Sequence, residues 1–242
     1  MITTILNCYK RTDYLKEQIE AVRNQSIKSE DIWIWYNKPE AREQIELDAP
    51  GCKLVQCNHN FKFHGRFALG LLAQTPYVAF FDDDTMPSPR WFENCMNTID
   101  SGHDGILGGI GVILEGEAYA PNRKVGWDFP NPEVKEVDLV GHAWFMNKDY
   151  LRYLWYEEPL SWENGEDMQL SYLAQKHGGI KTYVPPHTDD TEWWSNNPDT
   201  ATKYANDENA NGFHVASHFP LRQGIAHAYI KQGWETVVRR SK

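Results

Sequence analysis

Cysteine is scarce and poorly placed for metal or redox chemistry. The four residues Cys8, Cys52, Cys57 and Cys95 fall at irregular spacings with no CxxC pair, which argues against a zinc knuckle or a disulfide framework and leaves reduced thiols. Long apolar runs are missing too: no stretch reaches the roughly 18 consecutive apolar residues of a membrane span. The opening MITTILNCYKR also lacks a basic start followed by an apolar segment. The expectation is a soluble, cytoplasmic protein with no transmembrane segment. Positive charge is short, with 24 Lys and Arg against 34 Asp and Glu and a net charge of −10. That balance disfavours broad binding to nucleic acid or anionic membrane and leaves only a local basic groove open. There is no internal repeat, coiled coil or low-complexity tract. A chain of 242 residues suits one large α/β domain with a sizeable core.

What is present is organised around YVAFFDDDTMPSPRW, residues 77–91. Tyr77 to Phe81 is a short continuous apolar run, the pattern of a strand buried on both faces, and Pro76, Pro87 and Pro89 around it argue against a helix. The run stops at Asp82, Asp83 and Asp84. Three adjacent carboxylates repel one another and must be solvated, hydrogen-bonded or bound to a cation. Open α/β sheets bind ligands beyond the carboxyl ends of their strands, so a metal is the expected occupant. The competing role, capping the next helix, is already filled by Ser88 as N-cap and Pro89 at the first helical position.

Along the chain, strands are expected at Ile2–Cys8, Asp31–Tyr36, Lys53–Cys57 and Tyr77–Phe81. Helices alternate with them: one bearing Leu15, Ile19 and Val22, one over Glu40–Leu47 and one over Phe67–Ala73. This alternation predicts a mostly parallel sheet flanked by helices. The second half reads as a helix at Pro89–Ile99, a glycine-interrupted strand at Gly105–Leu114, a surface excursion over 115–132 and an extended stretch at Glu136–Asn147. A short helix at Lys148–Trp155 follows, then a helix opened by Asn164-Gly165-Glu166-Asp167 and stopped by Gly178-Gly179, and a last strand at Ile180–Val184. The polar segment from Thr188 to Gly212 is longer than a connection needs, as lids and binding loops are.

Together TTILNCYKR, the strand end at Asn37, FFDDDTMP and GEDMQLSY resemble glycosyltransferases of the GT-A fold, close to family 2 and to exostosin-like enzymes, over roughly residues 1–187. The resemblance implies a single GT-A domain of the nucleotide-diphospho-sugar transferase, Rossmann-like type over 1–242. Its expected division is a nucleotide-sugar-binding half at 1–84, an acceptor and catalytic half at 85–187, and a loop and C-terminal extension at 188–242. It also implies Mn²⁺ or Mg²⁺, a UDP- or GDP-sugar donor, and a glycan or other hydroxyl-bearing acceptor. A departing nucleoside diphosphate needs its charge neutralised, which a divalent cation on carboxylates supplies.

By the same resemblance Asp84 is the metal ligand, Asp82 or Asp83 meets ribose or donor sugar, and His187 matches a third metal ligand of some GT-A enzymes. Tyr9 and Arg11 correspond to the nucleotide-contacting turn, and Arg66 to an arginine that faces the donor. Asn37 stands where many family members carry an acid. A sugar hydroxyl is a poor nucleophile, so a carboxylate that takes its proton accelerates attack; Asp167 is the expected base, with Glu166 binding donor or acceptor. The opposing view is that acids in a first helical turn merely complement the helix dipole, with Asn164 as N-cap. Trp144, Trp162, Trp193 and Trp194 are candidates for stacking on sugar rings, against the commoner role of large aromatics in cores. Family 2 likeness favours inverting chemistry, whereas the DDD triplet and Arg66 lean toward exostosin-like enzymes, which retain configuration. A metal-dependent nucleotidyltransferase is a weaker alternative because NCYKRTDY lacks a glycine-rich phosphate loop. A non-catalytic carbohydrate-binding module, treating the acids as solvated surface, is another. A modified nucleic-acid base is a further conceivable acceptor, disfavoured by the acidic charge.

Overall fold

A computed structural model describes residues 1–37, 48–198 and 216–241; the helix expected at Glu40–Leu47 and much of the polar segment after Thr188 lie outside them. The first strand, β1 (Ile2–Cys8), is buried along nearly its whole length, apolar and β-branched residues alike, as a central strand covered on both faces requires. Helix α1 (Leu15–Arg23) turns Leu15, Gln18, Ile19 and Val22 inward. Next come β2 (Asp31–Tyr36), β3 (Lys53–Gln56), α2 (Gly65–Gly70) and β4 (Tyr77–Phe81). Helix α2 starts before the expected Phe67 because Gly65 lets the backbone close on Trp35, whose ring a Cβ would strike.

The second half contains α3 (Trp91–Asp100), β5 (Gly105–Leu114), β6 (Asn122–Val125), β7 (Lys135–Val137) and β8 (Leu139–Asn147). A 3₁₀ helix (Lys148–Trp155), α4 (Glu166–Gly178), β9 (Lys181–Val184), α5 (His218–Lys231) and α6 (Val237–Arg240) complete it. Ser88 does not cap α3. The helix begins at Trp91, and the carbonyls of Ser88 and Pro89 are instead taken by Gln25 Nε2 and the Ser26 N–H, at 2.6 and 2.7 Å. Part of the expected surface excursion is strand β6, paired with β5, and the single extended stretch after it divides at Asp138 into β7 and β8.

The sheet order is β3-β2-β1-β4-β8-β5-β9-β7, with β6 alongside β5. The four strands from β3 to β4 are parallel. Beyond them the expected mostly parallel sheet is corrected to a mixed one: β8 inserts antiparallel between β4 and β5, β9 is parallel to β5, and β7 is antiparallel to β9. No crossover helix separates β5 from β8, so the chain returns in the opposite direction, whereas a parallel pairing would need a crossover. Buried apolar clusters line both faces, one beneath α1 and α3, the other beneath α2, the 3₁₀ helix, α4 and α5. Among the described residues no helix is long and apolar enough to cross a membrane.

Candidate active site

Strand β4 delivers the three aspartates to the carboxyl edge of the parallel strands, and the turn that carries them is fixed by its neighbours. The Asp82 N–H donates to the His142 carbonyl at 2.9 Å. Gln18, on the buried face of α1, donates to the carbonyls of Asp82 and Thr85 at 2.6 and 2.9 Å. Two buried arginines balance the acids. Arg11 Nη1 reaches Asp83 Oδ1 at 2.8 Å and Asp84 Oδ2 at 3.1 Å. Arg66 binds Asp82 Oδ1 through Nη1 and Glu166 Oε1 through Nη2 at 3.2 Å; its guanidinium lies 4.5 Å from the Trp144 ring centre. Burial and the adjacent Asp84 push the Asp83 carboxyl up to about 6 against the pull of Arg11.

Asp82 and Asp84 are joined by a residue the sequence did not single out. One ligand atom each from Asp82, Asp84 and His142 lie within 4.8 Å of one another, with His142 Nδ1 at 3.9 Å from Asp84 Oδ1. Arg11 holds the other oxygen of Asp84. His142 reaches this position through a β-bulge. The ladder pairs Gly108 with Trp144 and Ile110 with Gly141, so that two residues of β8 oppose Gly109 alone, and His142 adopts φ +65°. Bulges re-aim side chains in this way. Burial works to lower the His142 pKa, but Asp84 and Asp82 raise it on balance. Among the described residues its Nδ1 is buried with no hydrogen bond of ordinary length and faces Asp84 Oδ1.

His187 is not brought into this group. It is fully buried, with Nδ1 at 2.9 Å from the Pro185 carbonyl and Nε2 at 3.1 Å from Ser195 Oγ. Burial drives its pKa down to about 4. Nδ1–H therefore donates to Pro185, and Nε2 accepts from Ser195, whose oxygen accepts from Trp127 Nε1 at 2.7 Å. Both ring nitrogens are spent on structure.

Across the site, Gly165 at φ +91° opens α4 and places Glu166 and Asp167 in its first turn. Asn164 does not cap this helix with its side chain: its Oδ1 accepts from Arg222 Nη1 at 3.0 Å. Arg222, on the buried face of α5, also grips Asp167, with Nη1 to Oδ1 at 3.2 Å and Nη2 to Oδ2 at 2.7 Å. Asp167 Oδ1 additionally accepts from the Met168 N–H at 2.8 Å, so some of the helix-terminal role is present. Burial and the neighbouring Asp167 raise the Glu166 carboxyl to about 7, with Arg66 and Arg222 opposing.

The profile of glycosyl transferase family 2 matches residues 3–155. The chain belongs to that family. Its fold is similar to that of S. aureus TarS, with a TM-score of 0.53, 13% identity, and coverage of 77% of this chain and 35% of that one. A TarS 1-349 structure gives a TM-score of 0.55 and 15% identity, covering 77% and 58%. The chain thus spans about a third of one neighbour and little more than half of the other. No curated protein matches significantly. The α/β domain with its central mixed sheet is consistent with GT-A.

In this member of glycosyl transferase family 2 the remaining candidates divide. Asn37 spends its whole amide on the turn before α2, donating to Asn60 Oδ1 and the Lys62 carbonyl and accepting from the Phe61 N–H at 2.8 to 2.9 Å. Tyr9 flanks that turn, its hydroxyl 3.3 Å from Asn60 Nδ2. Trp144 is core beneath Arg66. Trp193 lies 3.7 Å from the Arg90 guanidinium and Trp194 packs on His187, both fastening the segment after β9. Trp162 alone of the four is mostly exposed.

Proposed function

We propose that this enzyme transfers a sugar from a nucleoside diphosphate donor, a UDP- or GDP-sugar, to a hydroxyl of a glycan or other acceptor, with Mn²⁺ or Mg²⁺. The observation that carries this reading is the convergence of Asp82, Asp84 and His142 at the end of β4, joined to the acids of α4 by Arg66. Two carboxylates and an imidazole suit a small divalent cation, the nitrogen favouring Mn²⁺. Asp82, Asp84 and His142 would hold it, and its charge would offset that of the departing diphosphate. Arg11 and Arg66, already turned on the same carboxylates, add fixed positive charge where the phosphates leave. The turn around Tyr9 and Arg11 is the proposed nucleotide contact, with Asp83 towards ribose. Asn37, committed to the 60–62 turn, shapes this surface from behind.

On the acceptor side Asp167 acts as base. Arg222, itself held by Asn164, fixes its plane, and Oδ2, bonded among the described residues by Arg222 alone, retains a lone pair for a hydroxyl proton. The acceptor oxygen then attacks the anomeric carbon opposite the diphosphate, the bond to the diphosphate oxygen breaks, and the proton passes to Asp167, giving inversion. Glu166 and Arg66 steer donor and acceptor. The test is nucleoside diphosphate release from a panel of UDP- and GDP-sugars with Mn²⁺ and with chelator. Release from one donor that stops on chelation supports the reading; release unaffected by chelation contradicts it.

A further inference from the structure

Beside the acids of α4 lie buried polar atoms with nothing to bond. His64 is 2% exposed, and neither of its ring nitrogens has a partner among the described residues; the same holds for the nearby Trp155 Nε1. Leaving a polar atom buried and unbonded costs about 1–3 kcal/mol, so three in one place call for a physical reason. Burial, reinforced by the charge of Arg66 and opposed by Asp167, lowers the His64 pKa to about 4. The ring is therefore neutral near neutrality, one nitrogen donating and the other accepting. Trp162 lies against it, ring centres 5.0 Å apart, with 53% of its surface in solvent. Lys62 and Glu163, paired at 3.2 Å, stand at the neighbouring positions of the rim.

An exposed indole in front of a neutral donor–acceptor pair has the chemistry of a pyranose site. The apolar C–H face of a sugar covers an aromatic ring, while its hydroxyls both give and take hydrogen bonds. We propose that Trp162 and His64 form the subsite for the acceptor sugar. The pyranose stacks on Trp162, and displacement of that indole from the His64 ring would open the His64 nitrogens and Trp155 Nε1 to its hydroxyls. This rests on the reading of Asp167 as the group facing the acceptor, and it assigns the acceptor's reacting end as a pyranose.

Saturation-transfer NMR with methyl β-glucoside, β-galactoside and β-N-acetylglucosaminide tests it, with and without UDP or GDP and Mn²⁺. The expected result is transfer to the protons of one pyranose face in the wild type. It should weaken about fivefold or more in Trp162→Ala and fall in His64→Gln, with circular dichroism and nucleotide binding retained. No transfer from any glycoside to the wild type, or an undiminished signal in Trp162→Ala, overturns the subsite. Nucleotide binding in the same samples separates the two readings, because its absence strikes the proposed donor chemistry and leaves the glycoside result standing.

Discussion

Asp167 and Glu166 are adjacent in sequence but differently bound, and their expected behaviour differs. Asp167 is paired through both oxygens with Arg222, at 3.2 and 2.7 Å, whereas Glu166 has a bond through one oxygen to Arg66 at 3.2 Å. Asp167→Asn is expected to keep nucleotide binding while turnover falls about 10²- to 10⁴-fold, measured by product release under donor saturation; unchanged turnover would return Asp167 to a helix-terminal role. Glu166 gives a pH signature. Its carboxyl titrates at about 7 in the fold, above its ordinary 4.5, so ionisation is disfavoured in the folded state. The associated stability is present below the unfolded pKa and lost as pH rises through about 7. Urea unfolding of the wild type and Glu166→Gln should therefore show the wild type losing at least ~1 kcal/mol relative to the variant between about pH 5 and pH 8. A constant difference would contradict the shift.

The elements that carry the site were legible to different degrees for identifiable reasons. Asp82 to Asp84 stood out because three carboxylates clustered at a strand end call for a partner, whereas Glu166 and Asp167 stood out less, since acids at a helix start also complement the helix dipole. His142 did not, because a strand pattern gives side-chain facing only while the period of two holds, and the bulge opposite Gly109 breaks it. The signal was Gly141-His142 inside a strand, where glycine commonly marks a bulge. His187 was misleading for the converse reason: a histidine after a strand end matched the position of a ligand, and only packing reveals both nitrogens engaged. Because Asn tolerates φ above zero, His142→Asn should preserve the bulge and the fold. Mn²⁺ affinity should fall about tenfold or more, as read by titration with circular dichroism as control. Unaltered affinity would remove His142 from the donor set.

At the scale of the molecule, the C-terminal segment reaches the proposed site through Arg222, which binds Asp167. Arg222, Ile225, Ala226, Tyr229 and Ile230 face inward from α5, a helical stripe legible in the sequence but obscured by the long polar segment before it. A charged residue on that stripe signals a buried partner, here Asp167. Asp138 anchors the same region, accepting from the Leu114 N–H and the Val237 N–H, each at 2.7 Å. Asp138→Ala strands two backbone donors and is expected to cost about 2–4 kcal/mol in denaturant unfolding; a loss within experimental error would show that α6 is held otherwise. The mixed sheet was not legible because sequence gives strands without their neighbours, and the antiparallel insertion of β8 between β4 and β5 is a property of pairing.

The most direct measurement is calorimetric titration of UDP and GDP into the protein with Mn²⁺, repeated with chelator and with Asp84→Asn. Binding of one nucleotide that disappears on chelation and in Asp84→Asn, with the fold intact, is the expected result. Equal binding in all three conditions, or none in any, would contradict a metal–diphosphate site at the end of β4.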